Sequence, residues 1–154
     1  MRFPTLETQD LESARVLVPD ELPGNPRVII LAFQRWHQML VDGWSQHAHA
    51  LEATCPGISV WEVPAMSHVY AVGRFFIDGG MKAAIPDVGV RQHTLTAYTD
   101  LDALVKALEI PDFETVHVYL LDPSGEIVWR GSGQVDEDQA AALAAAAEKL
   151  ATAN

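Results

Sequence analysis

Four consecutive aliphatic residues, Val28, Ile29, Ile30 and Leu31, lie within the segment from Arg27 to Phe33. Successive side chains of a strand point to opposite faces, so a strand with no polar position has to be covered on both. The run is also shorter than an ordinary helix. It therefore predicts a central strand in a sheet sandwiched between helices, and the rest of the chain has to supply those layers.

The following residues do so in alternation. Leu40, Trp44, Ala48 and Leu51 recur at helical spacing, with Asp42, Ser45, His49 and Glu52 on another stripe, and Cys55, Pro56 and Gly57 end the pattern. Ile58 to Val63 reads as a second strand stopped by Pro64. Ser67 to about Ile85 has the apolar spacing of a helix weakened by Gly73, Gly79 and Gly80. Thr94 to Tyr98 predicts a third strand, and Thr99 with Asp102 a capped helix carrying Leu101, Leu104, Val105 and Leu108. Val116 to Leu121 and Glu126 to Trp129 flank Asp122, Pro123, Ser124 and Gly125, the turn chemistry of an antiparallel hairpin. Asp136 with Gln139 then opens an alanine-rich helix. Alternation of this kind predicts an α/β fold with a mixed, mostly parallel sheet, helices on both faces, and a C-terminal β-hairpin plus helix.

Ahead of the first long strand, residues 1–26 are polar and rich in proline and glycine, with Val16, Leu17 and Val18 as one short strand. They read as an extended lead-in to the same domain, followed by the main body at 27–154. With 154 residues, 49% of them apolar, one core is expected. A net charge of −11 opposes binding to nucleic acid, whose affinity comes from Lys and Arg displacing counterions. Membrane insertion is not expected, and Met1 to Thr5 lacks a charged-then-apolar leader pattern, so a cytoplasmic protein is expected. The single cysteine, Cys55, cannot form a disulfide within the chain.

Three stretches make the chain similar to the redoxin branch of the thioredoxin superfamily. They are Leu17 to Leu22 leading to Val28, Leu31-Ala32-Phe33-Gln34-Arg35-Trp36-His37-Gln38-Met39-Leu40, and Tyr119 to Trp129 with Asp122-Pro123-Ser124-Gly125 at its turn. The resemblance implies a thioredoxin-like fold and an active site at the start of the first main helix. There the family places an aromatic residue followed by Cys-x-x-Cys, because free N–H groups and the helix dipole stabilise the attacking thiolate. Trp36 matches the aromatic, but His37 and Leu40 hold the two cysteine positions. No dithiol exchange is therefore expected. Cys55 cannot substitute: at ~1.5 Å per residue it would lie about 27 Å from His37 along a continuous helix. It is also at a helix C-terminus, the wrong end to favour a thiolate. The family's cis-proline position corresponds to Val116, between Thr115 and His117, and a trans bond is expected there.

A narrower resemblance, to mitochondrial ATP synthase assembly factors with this fold and their bacterial relatives, rests on Phe33 to Trp44, Phe75 to Met81 and Trp129 to Gly133. It implies a chaperone-like role towards a partner protein.

The expected function is a redox-inactive binding or assembly module with no catalytic residue, metal or cofactor. Its contact surface would be the former active-site edge: Gln34, Arg35, Trp36, His37, Gln38, Val116 and His117. Arg74, Lys82 and Arg91 are candidates for an anion site or interface, and adjacent Phe75 and Phe76 cannot share one narrow helical stripe. Alternatives are a redoxin-type enzyme using Cys55 or an unrecognised pocket, or a metal or small-ligand carrier. The carrier would need His37, His93 and His117 to converge, since His47 and His49, two apart, face different ways on a helix, with His47 expected partly buried. Gly131-Ser132-Gly133 reads as a connection.

Overall fold

A computed structural model describes residues 1–10, 12, 14–67, 93–111 and 113–152. Beyond Ser67, the helix expected to Ile85 lies outside the described residues, as do Arg74, Phe75, Phe76, Lys82 and Arg91. The described strands are β1 (Leu6–Asp10), β2 (Arg15–Val18), β3 (Arg27–Ala32), β4 (Ser59–Ser67), β5 (Leu95–Thr99), β6 (His117–Leu121) and β7 (Ile127–Ser132). The described helices are α1 (Gln38–Ala50), α2 (Leu101–Ala107) and α3 (Glu137–Thr152).

The seven strands form one sheet in the order β2-β1-β5-β4-β3-β6-β7. All six residues of β3 are buried, and the five after Arg27 divide between two cores. Val28 and Ile30 face α1 and α3, packing with Val41, Trp44, Leu143 and Ala147. Ile29 and Leu31 face the other way, with Phe3, Leu95, Leu104, Leu108 and Tyr119. The double-faced strand and the two helical layers thus follow from the aliphatic run.

The sheet is mixed but not mostly parallel. Of its six pairings, only β3–β4 and β4–β5 are parallel. The difference arises at both ends. The lead-in contributes β1 as well as β2, and β1 pairs antiparallel with β5. The hairpin enters antiparallel to β3. Strand β4 also runs through Pro64 to Ser67. The missing proline N–H leaves a local gap instead of a terminus: the β5 side pairs as an isolated bridge at Glu62 and Thr94, then resumes at Ala65 and Ala97 in the same register.

Local chemistry sets the remaining ends. Asp100, one residue beyond the expected Thr99, caps α2 by accepting from the Ala103 amide at 3.1 Å. Asp136 Oδ1 accepts from the Gln139 backbone amide at 2.7 Å as expected, while the Gln139 side-chain Oε1 accepts from the Ser132 amide at 3.2 Å. Gly131 and Ser132 belong to β7, not to a connection. A Cβ on Gly131 would meet the Trp129 ring at 2.5 Å and the Trp44 ring at 2.9 Å, so this strand position admits no side chain. Asp122 organises the hairpin turn, its Oδ1 accepting from the Ser124 amide and hydroxyl and from the Glu126 amide.

Candidate functional site

Between β3 and α1 the chain makes a single 3₁₀ turn, Arg35–His37, at the carboxyl end of the central strand. His37 is completely buried. Its Nδ1 accepts from the amides of Phe33 at 3.1 Å and Gln34 at 3.2 Å. An acceptor nitrogen carries no proton, so the proton sits on Nε2, which donates to the Glu114 carbonyl at 3.1 Å. Both ring nitrogens are therefore engaged. The imidazole clamps the loop after β3 to the loop before β6, and neither nitrogen is left to bind metal or attack a substrate.

A second connection runs outside this clamp. Gln34 Nε2 donates to the Phe113 carbonyl at 3.1 Å, while its Oε1 accepts from the Trp36 indole at 3.0 Å. The indole stands edge-on against the His37 ring, centroids 4.5 Å apart, and remains 56% exposed. Met39, on the first turn of α1, is 83% exposed. Two large apolar side chains are thus held in solvent beside a helix start where an exchange thiol would stand.

The expected site residues separate by depth. Gln34, Trp36 and Gln38 are exposed, and Arg35 lies in the turn between them. His37 and Val116 are wholly buried and His117 is 8% exposed, so these three lie beneath the exposed residues of the edge. Val116 belongs to the α1-side core, and His117 lies edge-on to Phe33 at 6.2 Å between centroids. The cis bonds among the described residues are Val18–Pro19 and Asn25–Pro26, and Thr115–Val116 is trans. Met39 was missed by sequence reasoning, although its place one residue before Leu40 on an amphipathic helix was the available signal.

The three histidines do not converge. His93 stacks on Trp61 at 4.4 Å and bonds the Val60 carbonyl, beside β4. Strands β4 and β3 stand between it and His117 on β6, a separation on the order of 14 Å at ~4.8 Å per strand. Among the described residues no three His, Cys, Asp or Glu side chains gather as a metal site. His47 is exposed, not partly buried, because Val41, Trp44 and Ala48 occupy the inward face of α1. Cys55 is 1% exposed in the α1-side core, which removes it from reach of a peroxide or a disulfide.

No family model matches the sequence, and no curated protein matches it. Solved structures do. A thiol:disulfide interchange protein from Bacteroides sp. is 19% identical with a TM-score of 0.63, over 98% of this chain and 88% of that one. BsSco, a member of the Sco family of cytochrome c oxidase assembly proteins, is 12% identical with a TM-score of 0.67, over 99% and 95%. The chain has a thioredoxin-like fold. An uncharacterized conserved protein from Geobacillus kaustophilus shares it at 15% identity and a TM-score of 0.66, over 100% of this chain and 82% of that one. At such identities the likeness speaks for the fold, and the position of His37 has to be read on its own chemistry. No described helix is long and apolar enough to cross a membrane.

Proposed function

We propose that this thioredoxin-like chain is a redox-inactive binding or assembly module that docks a protein partner on the edge formed by Gln34, Trp36, Gln38 and Met39. The observation that carries the reading is the state of His37: a thiol position converted into a buried clamp with both nitrogens occupied. Beside it, Trp36 and Met39 offer apolar anchors of the kind that dominate contact energetics. Leu40 at the second thiol position and a buried Cys55 leave no group for exchange chemistry.

An assembly role is the form we favour, because BsSco belongs to a family of assembly proteins and the loop is built to hold shape. The resemblance to ATP synthase assembly factors points the same way through Phe33 to Trp44 and Trp129 to Gly133; its third segment, Phe75 to Met81, lies outside the described residues. We take the setting to be the cytoplasm, on the single cysteine.

A photo-crosslinking residue at Met39, with a control at exposed Glu148 on α3, tests this in lysate and solubilised membranes. The reading expects one predominant adduct from position 39, absent from 148 and lost in Trp36→Ala. Equal labelling from both positions, or none from 39, would overturn it.

A further inference from the structure

The docking edge carries charge as well as two apolar side chains, and the charge has a sign. Trp36 is held in place from two sides: its indole N–H donates to Gln34 Oε1 at 3.0 Å, and its ring meets the His37 ring edge to face. Gln34 is fixed in turn by its bond to the Phe113 carbonyl. A ring held in this way loses little freedom when a partner arrives. It is 56% exposed, so much of its π-surface faces solvent. Among the described residues the cation–ring pair is Arg130 over Tyr119, and no Lys or Arg covers Trp36.

Negative charge stands beside the ring. Met39 and Asp42, three apart on α1, share one face of the helix. Asp42 is exposed, and its Oδ1 accepts from the neutral Gln38 side chain at 2.8 Å. Among the described residues no cation pairs with it. Its field also reaches inward, where it raises the pKa of Glu62. The loop bonded by Gln34 and His37 brings exposed Glu114 to the same edge. Two carboxylates thus stand against one basic residue, Arg35, in a chain whose net charge is −11.

We propose that the protein segment docking on this edge is basic, laying a Lys or Arg side chain on the Trp36 ring, an apolar residue on Met39 and a further cation beside Asp42. The inference rests on the docking role proposed above and adds the chemistry of the partner. An ammonium or guanidinium is drawn to the face of an aromatic ring, and Trp is the strongest such acceptor. The net negative charge speeds the arrival of a cationic segment and turns an acidic one away. Met39, unbranched and 83% exposed, adapts to the apolar residue that meets it. Nucleic acid is repelled by the same field.

Synthetic peptides repeating Leu-Arg-Ser, Leu-Gln-Ser and Leu-Glu-Ser are the probes, titrated into the folded chain while the Trp36 indole proton and the Met39 methyl are followed by NMR. The basic peptide is expected to saturate both signals, with the neutral one about tenfold weaker and the acidic one weaker still. Trp36→Ala keeps the net charge, so a loss of about tenfold there, read at Met39, separates the ring from the general field. Trp36→Phe, a weaker π-face, should fall between. Asp42→Asn should cost about two- to fivefold, and added salt should narrow the gap between basic and neutral peptides. Equal binding of the neutral peptide, unchanged affinity in folded Trp36→Ala, or no saturation by the basic peptide up to about 10 mM would each overturn the proposal. Crosslinking from position 39 tells this failure from failure of the docking role. An adduct that is lost in Trp36→Ala while the peptide arms fail leaves the edge a docking site for a segment that is not basic, and absence of any adduct removes the edge itself.

Discussion

The loop at the start of α1 and the hairpin of β6 and β7 both bury a polar ring, and they treat it in different ways. His37 has each nitrogen bonded to a backbone group, whereas the Tyr119 hydroxyl has only the mobile-ended side chain of exposed Arg130 beside it. A buried polar group with every site filled is a structural fastener. One with a site open is either a cost the fold tolerates or a place kept for something else. The same criterion supports the proposal that a position resembling a redox centre is chemically quiet.

Emptying the satisfied site should have the largest effect. His37→Ala strands the amides of Phe33 and Gln34 and the Glu114 carbonyl and opens a cavity, so a loss of about 3 kcal/mol is expected in denaturant melts. A loss below about 0.5 kcal/mol would mean that the ring fastens nothing.

Asp122 is a second satisfied group, at an exposed turn. Partial burial, which raises its pKa, is outweighed by hydrogen bonds from the Ser124 hydroxyl and the amides of Glu126, Ser124 and Gly125, leaving the carboxyl below its usual range. A depressed carboxylate stabilises the fold above its unfolded pKa and loses that contribution as pH falls through the folded value. Asp122→Ala should therefore cost about 1 kcal/mol at pH 7, with the gap to wild type closing in acid. A gap that widens in acid would contradict the bonding seen at the turn.

Glu62 sharpens the comparison from the under-satisfied side. It lies on the sheet with hydrogen bonds from the Thr94 hydroxyl, at 3.4 Å, and the Ser45 side chain, and these do not offset burial followed by the Asp42 charge, which raise its pKa above the usual carboxylate range. A raised carboxyl destabilises the fold as pH climbs from the unfolded value through the folded one. Glu62→Gln should thus be more stable than wild type at pH 7 and nearly equal to it near pH 4, as followed by thermal melts. The opposite pH trend would make Glu62 a satisfied group.

The smallest effect belongs to Tyr119→Phe. Among the described residues the only polar group beside this hydroxyl is the exposed Arg130 side chain, so removing the hydroxyl should leave stability within about 0.5 kcal/mol of wild type, or raise it. A loss of 1 kcal/mol or more would place Tyr119 with His37.

The sequence reading succeeded where a local pattern determines the outcome. The aliphatic run of β3, the Asp122 turn and the spacing of Trp36, His37 and Leu40 are each contained in about ten residues. It failed where pairing is non-local. Leu6–Asp10, LETQD, has one aliphatic residue and becomes a strand because β2 and β5 flank it. Pro64 ends a strand by rule, but between two neighbours it only interrupts one ladder. Burial of His37 was also illegible, since its acceptor role depends on the loop at Glu114, 77 positions away. The Tyr119 and Arg130 pairing needed the hairpin register, including the irregularity at Leu120 and Leu121, which turn chemistry does not specify.

The tautomer of His37 tests the central claim most directly, through long-range ¹H–¹⁵N correlation of its imidazole in the folded protein. The account predicts protonation at Nε2, an acceptor-type Nδ1, slow exchange of the ring proton, and no change on adding zinc or copper. A proton on Nδ1, or ring nitrogens that shift with metal, would contradict it and return His37 to the list of groups available for chemistry.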